Sequence, residues 1–260
     1  MGCGFDPQAA NSKAIASKIT VVMRVISSHH IVDSRMQRDL QQPFDSAARL
    51  LGRSARVFFT NLRFLATVTL AVYVPGKLLV QFACAVLDVP PEGIVSYVLM
   101  DLSDLVLGSF AIAAAIHGLM TGEPIGECLR YGRRLWGRML WNKFKVETTI
   151  ALWTLLLFVP GLVAMVKLAL VDAIVAVEGE REPEPLERSR ELTAGRRWRV
   201  FLVIAPLMAV DLVGSFLVLS SLPGVAHSRW MLGLADSLLA VVGMWTTVAG
   251  LLMYLGIVVP

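Results

Sequence analysis

Read by polarity alone, the chain alternates between long apolar runs and short, charge-rich connections. Apolar stretches recur at Phe58–Val74, Ile94–Met120, Thr148–Val177, Val200–Leu222 and Met231–Val259. About 20 such residues in helical form span a hydrocarbon core of about 30 Å. Predominantly apolar runs of this length predict transmembrane helices rather than buried helices of a soluble domain.

The segments between the runs carry a different period. Phe44, Ala47, Ala48, Leu51, Ala55, Phe58 and Phe59 follow the i, i+3, i+4, i+7 spacing of one helical face. Ile125, Cys128, Leu129, Leu135, Trp136, Met139 and Leu140 do the same, with Arg130, Arg133, Arg134 and Arg138 on the polar side. The third such segment, Glu184–Trp198, is less clearly striped, and its Pro185 suits a first helical position. Basic amphipathic helices with aromatics fit a headgroup layer.

A threefold pattern links the two kinds of segment. Pro-Gly follows an apolar run at Pro75, Pro160 and Pro223, and a basic-aromatic stretch precedes each run, around Arg56, Arg138 and Arg199. Arginine and proline are 19, 22 and 24 residues apart. As helix these separations are roughly 28–36 Å, one bilayer core each. Pro interrupts a helix and Gly permits a turn, so each Pro-Gly is expected where a first helix leaves the membrane. The predicted fold is an all-α, polytopic transmembrane bundle of about six spans. It is arranged as three hairpins, 57–74 with 94–119, 143–159 with 162–178, and 200–222 with 232–258. Each hairpin is preceded by a basic amphipathic interfacial helix. Leu78–Leu87 is then a far-side insert or an extension of the first span. The alternative at Pro160 is one proline-kinked helix over 148–177. Residues 41–260 form the membrane domain, and residues 1–40 are expected to be a poorly ordered cytoplasmic tail. One reading takes Met36 as the natural start.

Charge supports the hairpins. Of 24 Lys and Arg, 21 fall in 1–63, 121–147 and 179–199, which three hairpins place on one side. The positive-inside rule makes that side cytoplasmic, with both termini. The single kinked helix would put the arginines of 179–199 on the other side. Composition agrees with a membrane protein. The chain is 56% hydrophobic and only 17% charged, with mean hydropathy +0.66, against about 25% charged in soluble domains. The expected location is a bacterial cytoplasmic (inner) membrane.

Five aspartates fall in or near the spans: Asp101, Asp104, Asp172, Asp211 and Asp236. A charge near a bilayer centre costs about 2.5–3.5 kcal/mol on insertion scales, so each needs a reason. Asp101 and Asp104 share a helical face, and Asp211 sits near the middle of its run. Lys167 is the only basic residue well inside a predicted span and the natural partner for one of them. Two readings stand. Asp101, Asp104, Asp172, Asp211 and Lys167 line a polar site for a cation, proton or polar headgroup, or they pair helices together. On the membrane surface, Arg133, Arg134, Arg138, Arg196, Arg197 and Arg199 are the candidate contacts to anionic headgroups.

Other chemistry is not indicated. The three cysteines have no disulfide or metal spacing. The sequence "MGCGFDPQ" has Asp6 where myristoylation favours Ser or Thr. No Walker loop, Gly-rich nucleotide fingerprint, G-x-S-x-G or His/Asp/Glu metal cluster is present. The chain is expected not to be an enzyme, with no cofactor and no nucleic-acid partner.

The run "VDAIVAVEGEREPEPLERSRELTAGRRWRVF" (Val171–Phe201), preceded by "FVPGLVAMVKLAL", resembles the membrane domain attached to glycerophosphoryl diester phosphodiesterases and related bacterial six-helix membrane proteins. The likeness rests on the apolar run ending at Asp172, Glu178-Gly179, Glu187-Arg188-Ser189 and Gly195-Arg196-Arg197-Trp198, and covers about 120–205. It implies a non-catalytic membrane domain, since the phosphodiesterase barrel has no counterpart here. The expected role is scaffolding, lipid interaction or binding of a membrane protein partner. The alternative is a small transporter with an aspartate-lined cavity.

Overall fold

The computed structural model describes residues 46–90, 93–178, 184–221 and 229–258. Among these there are nine helices and no strand: α1 Ala47–Thr60, α2 Leu62–Val86, α3 Ile94–Thr121, α4 Ile125–Leu156, α5 Phe158–Leu168, α6 Val171–Glu178, α7 Pro185–Thr193, α8 Arg197–Ser221 and α9 Arg229–Val258. Five stretches are long and apolar enough to cross a membrane: Leu62–Val86, Ile94–Thr121, Phe158–Glu178, Arg197–Leu217 and Trp230–Val258. The chain is a multi-pass, all-helical membrane protein. The expected tail, and Pro223 with its Pro-Gly, lie outside the described residues.

The first expected exit is not one. Helix α2 runs through Pro75 to Val86, so Leu78–Leu87 extends the first span. Proline costs the helix one backbone hydrogen bond, but lipid offers the freed groups no water, and neighbouring elements can absorb the defect. Gly76 makes no turn. A side chain there would run into Leu107 of α3, its Cβ 2.7 Å from the Cδ1 methyl. It is a packing glycine that lets α2 and α3 approach.

The middle pair does form a hairpin, but Pro160-Gly161 is not its tip. Helix α4 ends at Leu156; the backbone of Leu157 is extended (φ −159°, ψ 135°), and α5 begins at the next residue. Pro160 sits in the first turn of α5, where its missing N–H costs nothing. Gly161 is buried against Thr154, its Cβ position 2.8 Å from the Thr154 Cα. Lys167 and Leu168 border the same cleft as Thr149, so the arms are antiparallel. The expected interfacial segment 125–140 and the expected span 143–159 are one continuous helix of 32 residues. This merger and the passage through Pro75 move the expected boundaries, while five membrane-long apolar stretches remain roughly compatible with about six spans.

Helix α1 is capped by the Ser46 hydroxyl, which accepts from the Arg49 N–H at 3.3 Å. Its buried face is Leu50, Arg53, Ser54, Val57 and Phe58. The expected stripe is thus rotated: Phe58 is inside, while Ala48 and Phe59 are exposed. Trp245 of α9 sets this orientation, stacking on Phe58 with ring centroids 6.0 Å apart and donating its indole N–H to the Ser54 hydroxyl at 3.0 Å. The main core gathers around α6, nearly all of whose apolar residues are buried, including Val171, Ala173, Ile174 and Val175, and around Leu251–Leu255 of α9. Where α3 crosses α4, small residues set the spacing. A Cβ on Gly132 would lie 3.1 Å from the Phe110 carbonyl and the Ala114 methyl.

Candidate functional site: a charged triad and a cationic cleft

Two arrangements of polar residues arise from this packing. The first lies between α2, α3 and α9. On α2, Leu65, Tyr73, Lys77, Gln81 and Cys84 form one buried stripe, and continuity through Pro75 puts Lys77 on it. The Lys77 side chain is 0% exposed. Its Nζ lies 2.8 Å from Asp104 Oδ1 and 2.5 Å from Asp236 Oδ2, and it donates to the Met100 carbonyl at 3.2 Å. The ammonium group thus faces three oxygens, one from the backbone and one from each carboxylate. Gln81, one turn on, donates to the Met100 sulfur at 3.2 Å. The carboxylates are less enclosed, with side chains 38% and 33% exposed. One cation against two carboxylates leaves a formal charge of −1.

The predicted sites distribute unevenly over this arrangement. Asp104 is in the triad, as is Asp236. Asp101, one turn from Asp104, is exposed and has no ion pair among the described residues. Asp211 is also exposed, and Asp172 is half-buried on α6. Neither is paired to Lys167. The expected partner for the aspartates is corrected from Lys167 to Lys77. Treating Pro75 as a helix end had placed Lys77 outside the span. The spacing of four residues from Tyr73 to Lys77 to Gln81 was the available signal.

The second arrangement is a cleft of about 510 Å³ between α4 and α5. Trp153, Val159, Pro160 and Val163 give it apolar walls, and Lys167 with Arg190 of α7 line it too. Ser189 ties the backbone at Lys167 to α7. Its hydroxyl donates to the Lys167 carbonyl at 2.8 Å and accepts from the Leu170 N–H at 3.3 Å, tying the break between α5 and α6 to the residue before Arg190. Neither cation has an ion-pair partner among the described residues.

A family description for a domain of unknown function, DUF7847, matches residues 94–259. The chain belongs to the DUF7847 family. The family match spans α3 to α9 and contains the whole cleft, but only the two carboxylates of the triad; Lys77 precedes it. It carries no link to the membrane domain of glycerophosphoryl diester phosphodiesterases. No curated protein and no solved structure matches the chain.

Within the DUF7847 region the candidate headgroup arginines fall in two places. Arg133 and Arg134 are exposed near the start of α4. With Arg130, Glu123 and Glu127 they border a cavity of about 520 Å³, beside His117 stacked on Tyr131 at 3.8 Å. Arg138 is half-buried one turn further on. Arg196, Arg197 and Arg199 are exposed at the start of α8, where Arg197 lies beside Leu162 and Val166 of α5. The start of α4 is anchored by two side-chain donors. The Tyr131 hydroxyl donates to the Ala176 carbonyl and the Trp136 indole to the Val106 carbonyl, each at 3.0 Å. Among the described residues, no three His, Cys, Asp or Glu are grouped to hold a metal.

Proposed function

We propose that this protein is a non-catalytic component of a bacterial cytoplasmic membrane that engages anionic lipid, with both termini on the cytoplasmic side. The observation that carries this reading is the first half of α4. Its Cys128, Gly132, Leu135 and Met139 face is buried, while Arg133 and Arg134 border an open cavity on the other side, where Arg130 pairs with Glu127 at 3.0 Å. That geometry presents cations to a phosphate layer and keeps them fixed on a packed helix. The charge asymmetry of the connections supports the orientation, and the likeness of Val171–Phe201 to a non-catalytic membrane domain supports the absence of a reaction. The test is lipid selectivity in reconstituted bilayers. Wild-type protein should enrich spin-labelled phosphatidylglycerol over phosphatidylcholine, and Arg133→Glu/Arg134→Glu/Arg196→Glu/Arg197→Glu should weaken the preference severalfold. An unchanged preference would remove the reading.

A second reading, a small transporter, is favoured by the triad, whose unbalanced negative charge inside a helix bundle suits a cation or proton. Proteoliposome flux that survives Asp104→Asn/Asp236→Asn would eliminate it.

A further inference from the structure

We infer that the cleft between α4 and α5 holds one anionic phospholipid, its phosphate between Lys167 and Arg190 and an acyl chain along Trp153, Val159 and Val163. This goes deeper than the lipid-engaging role proposed above and rests on it, but uses different residues from the arginines at the start of α4.

The cleft follows from how the hairpin closes. A one-residue turn at Leu157 and the contact of Gly161 with Thr154 hold the arms together near the tip. At the other end the chain breaks at Ala169–Leu170, and Ser189 bridges the break. These two contacts frame the space between the arms as an open-sided cleft. Its chemistry is divided. At the tip end the walls are apolar and continuous with an exposed apolar surface: Trp153 is 48% exposed, Leu157 67%, and Leu155, Phe158 and Val159 more or about as much. Water cannot be the partner of such a surface in a membrane protein, so acyl chains are.

At the base are two cations. Three neighbouring acids are engaged elsewhere, and Glu187, one turn before Arg190, is exposed with no ion pair among the described residues. Glu184 pairs with Lys145 at 3.1 Å, and Glu178 and Glu191 lie 3.9 and 3.7 Å from Arg188. Lys167 is half-buried and Arg190 exposed, both bordering the cleft, and an anion seated between them relieves the repulsion of two like charges. A phosphate meets both, since Arg binds it through its planar fork and Lys as a point charge. An occupant that is anionic at one end and apolar along the other is a phospholipid rather than a free anion, which would leave the Trp153–Val163 wall uncovered. Basic pockets between membrane helices are a recurring form of headgroup recognition, and about 510 Å³ lies in the size range of sites that enclose a small molecule or part of a larger one.

The test uses the full chain in mild detergent. Delipidated protein is titrated with phosphatidylglycerol carrying brominated chains, with quenching of tryptophan fluorescence as the readout and native mass spectrometry for stoichiometry. We expect one tightly held phosphatidylglycerol, quenching that drops in Trp153→Phe, and affinity about tenfold lower or worse in Lys167→Gln/Arg190→Gln. Lys167→Arg/Arg190→Lys should keep most of the binding, which separates lost charge from misfolding. Val163→Trp, which fills the groove from its apolar side, should block the lipid while leaving both cations in place. Unchanged binding in Lys167→Gln/Arg190→Gln, equal affinity for brominated phosphatidylcholine, or full displacement by inorganic phosphate would overturn the inference. Arg133→Glu/Arg134→Glu should not disturb this single lipid. If wild type shows bilayer selectivity that the quadruple arginine variant weakens, yet holds no single lipid, only the cleft is refuted. If selectivity and the bound lipid are both absent in wild type, the lipid-engaging role falls as well.

Discussion

Lys77 is the residue whose loss the structure makes most costly. Lys77→Met keeps the length and apolar stem of the side chain but removes the charge between Asp104 and Asp236. At 2.8 Å, and with an effective dielectric near 20, each ion pair has a bare attraction of about 6 kcal/mol. Much of that is offset by desolvation, but removing one partner does not refund the desolvation of the others. Breaking a buried pair this way costs about 3–5 kcal/mol. Here the carboxylates keep about a third of their surface exposed, so we expect about 2–4 kcal/mol, allowing for that screening. At about 2–4 °C per kcal/mol for domains of this general size, thermal unfolding in detergent should shift down by roughly 5–15 °C. The decisive comparison is the variant Lys77→Met/Asp104→Asn/Asp236→Asn, which removes the stranded charges with the cation. It should recover most of the loss, because replacing all partners by neutral groups avoids leaving any charge unpaired. If Lys77→Met melts with wild type, or the triple variant is no better than the single one, the triad does not hold α2, α3 and α9 together.

Four further outcomes follow from the packing. Gly161→Val should cost about 1–3 kcal/mol by collision with Thr154, whereas Gly137→Ala, with open space around it, should be neutral or slightly stabilising; thermal unfolding of the two side by side checks this. Tyr254→Phe should cost about 1.5–3 kcal/mol, because its hydroxyl donates at 2.6 Å to Glu178, whose side chain is 3% exposed; an unmoved melting temperature would show that Glu178 is satisfied without it. In a Cys3→Ser background, Cys84 and Cys128 should resist maleimide at pH 8 until the protein is unfolded. Both are buried, and burial followed by the nearby Glu123 charge pushes the Cys128 thiol above its ordinary range, so little thiolate is present. Leu157→Cys and Arg133→Cys, 24 residues or about 36 Å apart on one helix, should be labelled by impermeant maleimide from opposite sides of the membrane. The turn residue is the appropriate reporter because Gly161 itself is buried.

The apolar runs themselves were legible because hydropathy is a property of consecutive residues. Helix α3 at 94–121 and α9 at 229–258 lie within two residues of the runs that predict them. Pro185 opens α7 as its position indicates. What misled was the reading of Pro-Gly. In water a Pro-Gly pair ends helices because the freed backbone groups can turn to solvent. Within α2 no solvent is available, and Gly76 is wanted for its lack of a side chain. That one reinterpretation hid Lys77 and left Lys167 as the apparent counter-ion. The cleft was less accessible still. Lys167 and Arg190 are brought together by a serine bridging a helix break, and nothing in the local sequence of either residue announces that contact. The rotated face of α1 has a similar origin, since Trp245 is far away in the chain.

The position of Lys77 ahead of the DUF7847 match bears on where a self-sufficient folding unit begins. Residues 94–259 carry Asp104 and Asp236 but not the cation that neutralises either of them. Cut at the family boundary, the remaining helices would have to insert two uncompensated carboxylates into lipid, protonate them or recruit another cation. The natural module is therefore larger than the recurring one, and α2 acts toward it as an intramolecular subunit whose docking face carries the one ammonium group that answers both carboxylates, beside the packing at Gly76 and the Gln81 contact to Met100.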